Sequence, residues 1–413
     1  MNLKEENLRS QSGLDRSNIW RWLAYATFTV YFLIVFARAA TTFITTDEAY
    51  TYFEYVRTGD LFNLSIANNH LLLTLLIWLF SGLHDYSEIF IRLPNLLTLA
   101  VVGIFLIRKC FRQLQYPLFF LAVFFCSSYY FSEYLGLARG YSISVLLNIA
   151  GLIYCLEPRW QNLLKANFLF MMAVFANLAS FFLFAAFQPL AIYWSLKQNG
   201  YQIPWSLFCK PVIIITACLN GIAIVFFYFW GRSITQEADP LIGGDSFLIG
   251  VRSVHSFFPD PLVKYGLLAL LFFLLWMGIR KNDSVRDSFI FLGAALVLPF
   301  VASLLNPDRS DMFLQERTWI PLWALWCFPL MTALYEKRFS SDYFRIIFLA
   351  AAVSVVFLFA KKIDLTGTAT WANNYTQVRD LHAGKYQGKC FEWAPYHLEF
   401  YNEKYGLPIS TCR

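Results

Sequence analysis

Apolar stretches long enough to cross a bilayer recur from residue 19 to residue 360, with little chain left between them. A spanning helix needs about 20 apolar residues. In lipid every backbone N–H and C=O must find its partner inside the protein, so such a chain has to fold as packed helices. About 11 stretches of this kind lie near 19–43, 88–107, 117–135, 140–156, 166–180, 181–196, 211–230, 261–280, 286–305, 318–335 and 343–360. Charged residues make up 15% of the chain and mean hydropathy is +0.50, whereas soluble domains run near a quarter charged. The expected fold is therefore an all-α polytopic membrane protein, not a soluble enzyme with one anchor. The first stretch is too long for a cleaved signal peptide and is expected to stay.

Basic residues set the orientation. With residues 1–18 as a cytoplasmic tail, the inner loops carry Lys4, Arg9, Arg16, Arg21, Arg108, Lys109, Arg112, Arg159, Lys165, Lys197, Lys210, Arg280, Lys281, Arg286, Lys337, Arg338 and Arg345. The outer loops keep only Arg57, Arg139, Arg232, Arg252, Arg309 and Arg317. This asymmetry accounts for the net charge of +6 without a nucleic-acid partner. Residues 166–196 fit one long span or two short ones; two are preferred, which puts residues 361–413 outside as a small cap. Cys390 and Cys412 in that segment are a disulfide candidate, with two free thiols as the alternative.

The first external loop, 44–87, holds the densest chemistry. Thr45-Thr46-Asp47-Glu48-Ala49-Tyr50 places two acids where the first span leaves lipid, a costly position that marks a functional candidate. Thr45-x-x-Glu48 also fits a helix capping box, which explains Glu48 but leaves Asp47 without a dedicated role. Adjacent residues project about 100° apart on a helix, so the two do not face each other as a hydrolase pair. Asp47 is then a candidate general base. Ala49, Tyr50, Phe53 and Val56 recur at helical spacing with Glu54 and Arg57 opposite, predicting a helix lying flat at the interface. A shorter apolar piece from His70 to about Gly82 reads as interfacial or re-entrant.

His70 and Arg92 could clamp an anion, the arginine in bidentate fashion. Each has a plainer reading, His70 as an interfacial cap and Arg92 as a headgroup-reaching side chain. Asn69 precedes His70, and Ile91-Arg92-Leu93-Pro94-Asn95 is expected to open the next span with Pro94 in its first turn. Arg139 in Leu137-Ala138-Arg139-Gly140-Tyr141 falls between two spans, and Arg317 opens a later one. Cations from separated segments on one face suit a lipid-linked phosphate. No Gly-rich nucleotide loop and no zinc spacing appears; a carboxylate-held divalent metal stays open.

The order of these motifs resembles the bacterial membrane glycosyltransferases of the GT-C superfamily. The closest branch holds the protein O-mannosyltransferases and the lipid A aminoarabinose transferase (glycosyltransferase family 39-like). The likeness is best over 40–145, weaker at Glu316-Arg317-Thr318-Trp319, and departs after His70, where relatives carry two prolines and this chain has Leu71-Leu72. The resemblance implies a GT-C-like domain over 19–360 in a bacterial inner membrane. Its active site would face away from the cytoplasm, and a sugar would pass from a polyprenyl-phosphate donor to a hydroxyl on a lipid, glycan or protein acceptor, with inversion. Asp47 matches the family's acidic base and Glu48 its acidic neighbour. His70, Arg92, Arg139 and Arg317 stand for the donor phosphate, and Asn69, Tyr50 and Tyr141 for substrate contacts. A transporter or flippase, or a glycan ligase, is the alternative for lipid-linked saccharides. Charges gathered at one face, not the midplane, favour the enzyme.

Overall fold

The computed structural model describes residues 3–63, 70–83, 86–198, 211–236, 243–244, 261–281, 283–304, 313–314, 320, 323–337, 339, 342–362, 379–380, 383, 390–391, 396–405 and 410–411. Among these the chain is helical but for two pairs of two-residue strands, Gly243–Gly244 with Phe313–Leu314 and Cys390–Phe391 with Ser410–Thr411. The helices are α1 (Leu3–Thr41), α2 (Thr46–Thr51, running on as a π-helix over Tyr52–Arg57), α3 (Leu71–Ser81), α4 (Glu88–Gln113), α5 (Pro117–Cys126), α6 (Tyr129–Leu135), α7 (Gly140–Cys155) and α8 (Trp160–Ala176). There follow α9 (Phe181–Gln198), α10 (Pro211–Gln236), α11 (Pro261–Lys281), α12 (Asp283–Leu304), α13 (Trp323–Tyr335), α14 (Asp342–Lys362) and α15 (Tyr396–Tyr405).

Four segments among the described residues are long and apolar enough to cross a membrane: Asn18–Thr41, Glu88–Gln113, Leu178–Lys197 and Tyr343–Lys361. Over its described residues every stretch read as a span is mainly helical, with local corrections that have local causes. The 117–135 stretch is broken at Ser127-Ser128. The Ser127 hydroxyl donates back to the Val123 carbonyl, while Ser128 accepts from the Phe131 amide and starts α6 as its N-cap. Pro94 lies in the second turn of α4, because the helix begins earlier, at Glu88.

Residues 166–196 form two helices folded back on each other. Asn177, in extended conformation (φ −157°), ends α8, and its side chain accepts from the Ala179 amide to start a short 3-10 turn over Leu178–Ser180. Phe170 then packs edge-on against Phe187 at 4.8 Å. Three amides close a ring across α8, α9 and α10. Asn167 Nδ2 donates to Asn220 Oδ1 at 2.6 Å, Asn220 Nδ2 to Gln188 Oε1 at 3.1 Å, and Gln188 Nε2 to Asn167 Oδ1 at 2.9 Å. Within the ring each gives one bond and takes one, and Gln188 Nε2 gives a second to the Phe184 carbonyl at 3.2 Å, which suits a surrounding with little water to stand in.

Polar contacts sort the helix ends into two groups. At one end Gln113 meets Glu157, and Gln115 bonds Phe339 through both its amide nitrogen and its oxygen. At the other end the segment after α1, the turn before α7, the end of α8 and the C-terminal α15 come together. Helix α15 packs on the loop helix α2 and its π-helical extension. Tyr401 Oη accepts from the Ile44 amide at 2.9 Å, Lys404 meets Glu88 at 2.5 Å, and Glu403 takes Arg57 at 2.5 Å together with the Tyr86 hydroxyl. Phe400 lies edge-on to Tyr52 at 5.7 Å. The apolar face of this loop helix is packed against protein: Glu48, Ala49, Thr51, Tyr52, Phe53, Tyr55 and Val56 are all buried, while Asp47, Tyr50, Glu54 and Arg57 keep some exposure.

Candidate functional site

The site begins with a cap. Thr45 is the N-cap of α2: its side chain accepts from the Glu48 amide at 3.3 Å, and Glu48 Oε2 accepts from the Thr45 amide at 2.9 Å. This capping box turns Glu48 inward and leaves Asp47, one residue earlier, pointing elsewhere around the helix. Asp47 keeps about a third of its side chain exposed (34%), while Glu48 has none.

Glu48 is gripped by Arg92 from α4. Nε donates to Oε1 at 2.8 Å and Nη2 to Oε2 at 2.7 Å, a two-pronged pairing. The remaining N–H groups of Arg92 go to the carbonyls of Ala39, in the last turn of α1, and of Thr42 and Phe43 just past its end. All five guanidinium donors are spent and the side chain is 0% exposed. That corrects the reading of Arg92 as a phosphate ligand: in this arrangement it has nothing left to offer an anion, and it braces the end of α1 instead. Glu48 is likewise a brace, with no access to substrate. Burial by itself would push its carboxyl up; the Arg92 charge and four hydrogen bonds outweigh that and hold it below the usual glutamate range.

The brace has a product. Glu48 Oε1 also accepts from the Ala138 amide at 2.6 Å, and Asn95, one turn along α4 from Arg92, donates to the carbonyls of Leu137 and Arg139. Together they fix the turn Leu137-Ala138-Arg139 that leads into α7. Gly140 follows because nothing larger fits: a Cβ there would stand 1.9 Å from the Ala176 carbonyl oxygen and 2.7 Å from the His70 side chain. So held, Arg139 brings Nη1 to 2.8 Å from Asp47 Oδ2. The contact is an ion pair at short range without ideal hydrogen-bond alignment. Burial would favour a neutral guanidinium, but the Asp47 carboxylate overrides it and keeps Arg139 charged.

From Arg139 the contacts continue. Its guanidinium lies over the Tyr141 ring at 5.6 Å, and Tyr141 meets the His70 ring edge-on at 5.1 Å. His70 is buried as the N-cap of α3 but gives that helix no side-chain cap bond. Asp47, Arg139, Tyr141 and His70, drawn from α2, α7 and the start of α3, thus form one contiguous group. On the other side of Asp47, Tyr50 packs against Tyr55 at 5.8 Å and Tyr396 at 4.8 Å, both edge-on. Asn69, Arg317 and Cys412 lie outside the described residues, as does the side chain of Cys390. Among the described residues no cluster of three His, Cys, Asp or Glu side chains is placed to hold a metal.

Several participants were not singled out as site residues in the sequence. Asn95 sits inside the quoted Arg92–Asn95 motif, so its neighbours could have flagged it. Tyr396 and His397 come from the far end of the chain, where nothing local points to Asp47; His397 Nδ1 lies 2.9 Å from the Thr46 hydroxyl. Below the turn, Arg38 of α1 pairs with Glu133 of α6 at 3.0 Å, both buried. Arg38 and Glu133 each lie inside a stretch read as a span, but nothing local in the sequence pairs them.

No protein-family model, no curated protein and no solved structure matches this chain.

Proposed function

We propose that the chain is a membrane glycosyltransferase that moves a sugar from a polyprenyl-phosphate donor to an acceptor hydroxyl. The observation that carries the reading is the pairing of a part-exposed acid with a buried cation, Asp47 with Arg139, at the helix ends beside the first loop. A carboxylate that keeps access to solvent can take a proton. A buried, charged guanidinium that pairs with a part-exposed carboxylate can pair with a phosphate oxygen in the same way. The two functions required for glycosyl transfer from a phosphate thus stand side by side.

In the reaction, Asp47 takes the proton of the acceptor hydroxyl as its oxygen bonds the anomeric carbon. The bond from that carbon to the phosphate oxygen breaks, and its electron pair leaves with the carrier phosphate. One displacement inverts the anomeric centre. The leaving group is already a stable anion, so the protein has mainly to align the partners and neutralise charge. Arg139 does the latter, with Tyr141 and His70 behind it.

The same reading takes the helical stretches as about 11 crossings of a bacterial inner membrane in a GT-C-like arrangement. The N-terminus is then cytoplasmic and the Asp47 face extracytoplasmic. The alternation of helix ends and the basic inner loops support it. A direct test adds isotope-labelled polyprenyl-phosphate sugars to membranes holding the chain or Asp47→Asn. A labelled glycoside formed by the first and not the second supports the proposal; equal product from both would refute it.

A further inference from the structure

Asp47, Tyr50 and Glu54 lie three and four residues apart along the loop helix, a spacing that brings them to one side of it. Tyr396 of α15 closes on that side: its ring meets Tyr50 edge-on at 4.8 Å, and its hydroxyl donates to Glu54 Oε1 at 2.8 Å. Tyr50, Glu54 and Tyr396 each stay partly exposed, whereas Tyr52, Tyr55, Phe400 and Tyr401 around them are buried. Two tyrosine rings at right angles (87°) beside a carboxylate make a corner with an apolar wall and a strong acceptor.

We infer that Tyr50, Glu54 and Tyr396 form a carbohydrate subsite next to Asp47, so that the acceptor is itself a sugar-bearing molecule and not a bare serine or threonine side chain. A pyranose or furanose ring has one face of C–H groups and a rim of hydroxyls. The face packs on aromatic rings, and the rim donates to carboxylates. Glu54 has a second oxygen for such a donor beside the one Tyr396 occupies. A peptide hydroxyl offers no such face. The C-terminal helix, which carries Tyr396, is on this account part of the acceptor site. The proposal rests on the glycosyltransferase reading for its meaning, and its binding chemistry can be tested apart from turnover.

The test uses the full chain in nanodiscs and saturation-transfer NMR with methyl glycosides of common hexoses and pentoses, alongside a serine- and threonine-containing peptide. Saturation should reach the ring C–H protons of at least one glycoside and not the peptide. Tyr50→Ala and Tyr396→Ala should weaken that signal about tenfold in apparent affinity. Tyr396→Phe, which keeps the ring, should cost less than Tyr396→Ala. Tyr405→Ala, at an exposed position of the same helix, should cost nothing. If Tyr396→Ala is poorly folded, Glu54→Gln and Tyr396→Phe carry the comparison. Saturation of the peptide alone, or glycoside binding indifferent to Tyr50, Glu54 and Tyr396, overturns the subsite. Glycoside binding with the expected losses, but no Asp47-dependent transfer in membranes, would keep the subsite and sink the enzyme reading.

Discussion

Arg92 and Glu48 meet through two parallel hydrogen bonds, 2.8 and 2.7 Å long, with neither side chain reached by solvent. The pair does not touch substrate in the proposed scheme, yet it sets the position of everything that does. Removing one member leaves the other as an uncompensated buried charge, which costs on the order of 3–5 kcal/mol. Arg92→Ala and Glu48→Ala should therefore lower thermal stability in detergent sharply and reduce the amount of chain in the membrane. Arg92→Lys keeps the charge but not the fork, and it should remain clearly less stable than the native chain. Native-like melting of Arg92→Lys would show that the two-pronged geometry is unimportant.

Arg139 tests the site itself. Arg139→Gln should lower kcat/KM for the lipid-phosphate donor on the order of 10²-fold, with Arg139→Lys falling between. Because Asn95 and Glu48 hold the turn through backbone groups, both variants should melt close to the native temperature. A large loss of stability with unchanged turnover per folded molecule would recast Arg139 as a brace like Arg92.

His397 gives a pH signature. Burial pushes its imidazole down to about 4, while an unfolded histidine titrates near 6.5. The unfolded chain therefore takes up the proton first as pH falls. The stability that goes with a neutral His397 is whole above about 6.5 and drains away between there and about 4. Melting temperature in detergent should fall across that window. His397→Gln, which can still bond Thr46, should flatten the fall; an unaltered slope in that variant would place its origin elsewhere.

Helix α15 lies on the loop that follows α1, so Thr58 and Tyr405 must be on one side of the membrane. Cysteines placed at these exposed positions, in a chain from which the 8 native cysteines have been replaced, should both react with an impermeant maleimide in spheroplasts. A cysteine at Arg112, at the opposite helix end, should react only after lysis. Labelling of one of the first pair without the other contradicts the docking of α15.

The amide ring of Asn167, Gln188 and Asn220 predicts non-additivity. Asn220→Leu strands one donor and one acceptor and should cost about 1–2 kcal/mol. Replacing all three with leucine removes the stranded groups together, so its cost should be less than the sum of the singles. Melting temperatures of the seven variants in the cycle would decide it.

Much of the local structure was legible in the sequence because local patterns encode it. The Thr45–Glu48 capping box, the short helix after His70 and the helix in each apolar stretch all follow from spacing and length. The break at Ser127-Ser128 was hidden inside an apolar run, since two serines weigh little against their neighbours in hydropathy. Whether a cation faces a ligand or the protein's own carbonyls depends on what packs against it. Arg92 and Arg139 therefore looked alike as residues, yet Arg92 spends its donors on carbonyls and Glu48 while Arg139 pairs with a part-exposed carboxylate. What packs on the apolar face of the loop helix was hidden for the same reason: its cover comes from residues 396–405, which no window of sequence could place there.

The bond between the Ile44 amide and Tyr401 joins positions 357 residues apart. A chain made from its N-terminus has the amide long before it has the hydroxyl that accepts from it. Until then the loop helix lacks this cover, its aromatic residues exposed to whatever is nearby. The codons for residues 396–405 thus decide when Asp47 acquires its complete surroundings, and a product stopped before them would leave that corner open.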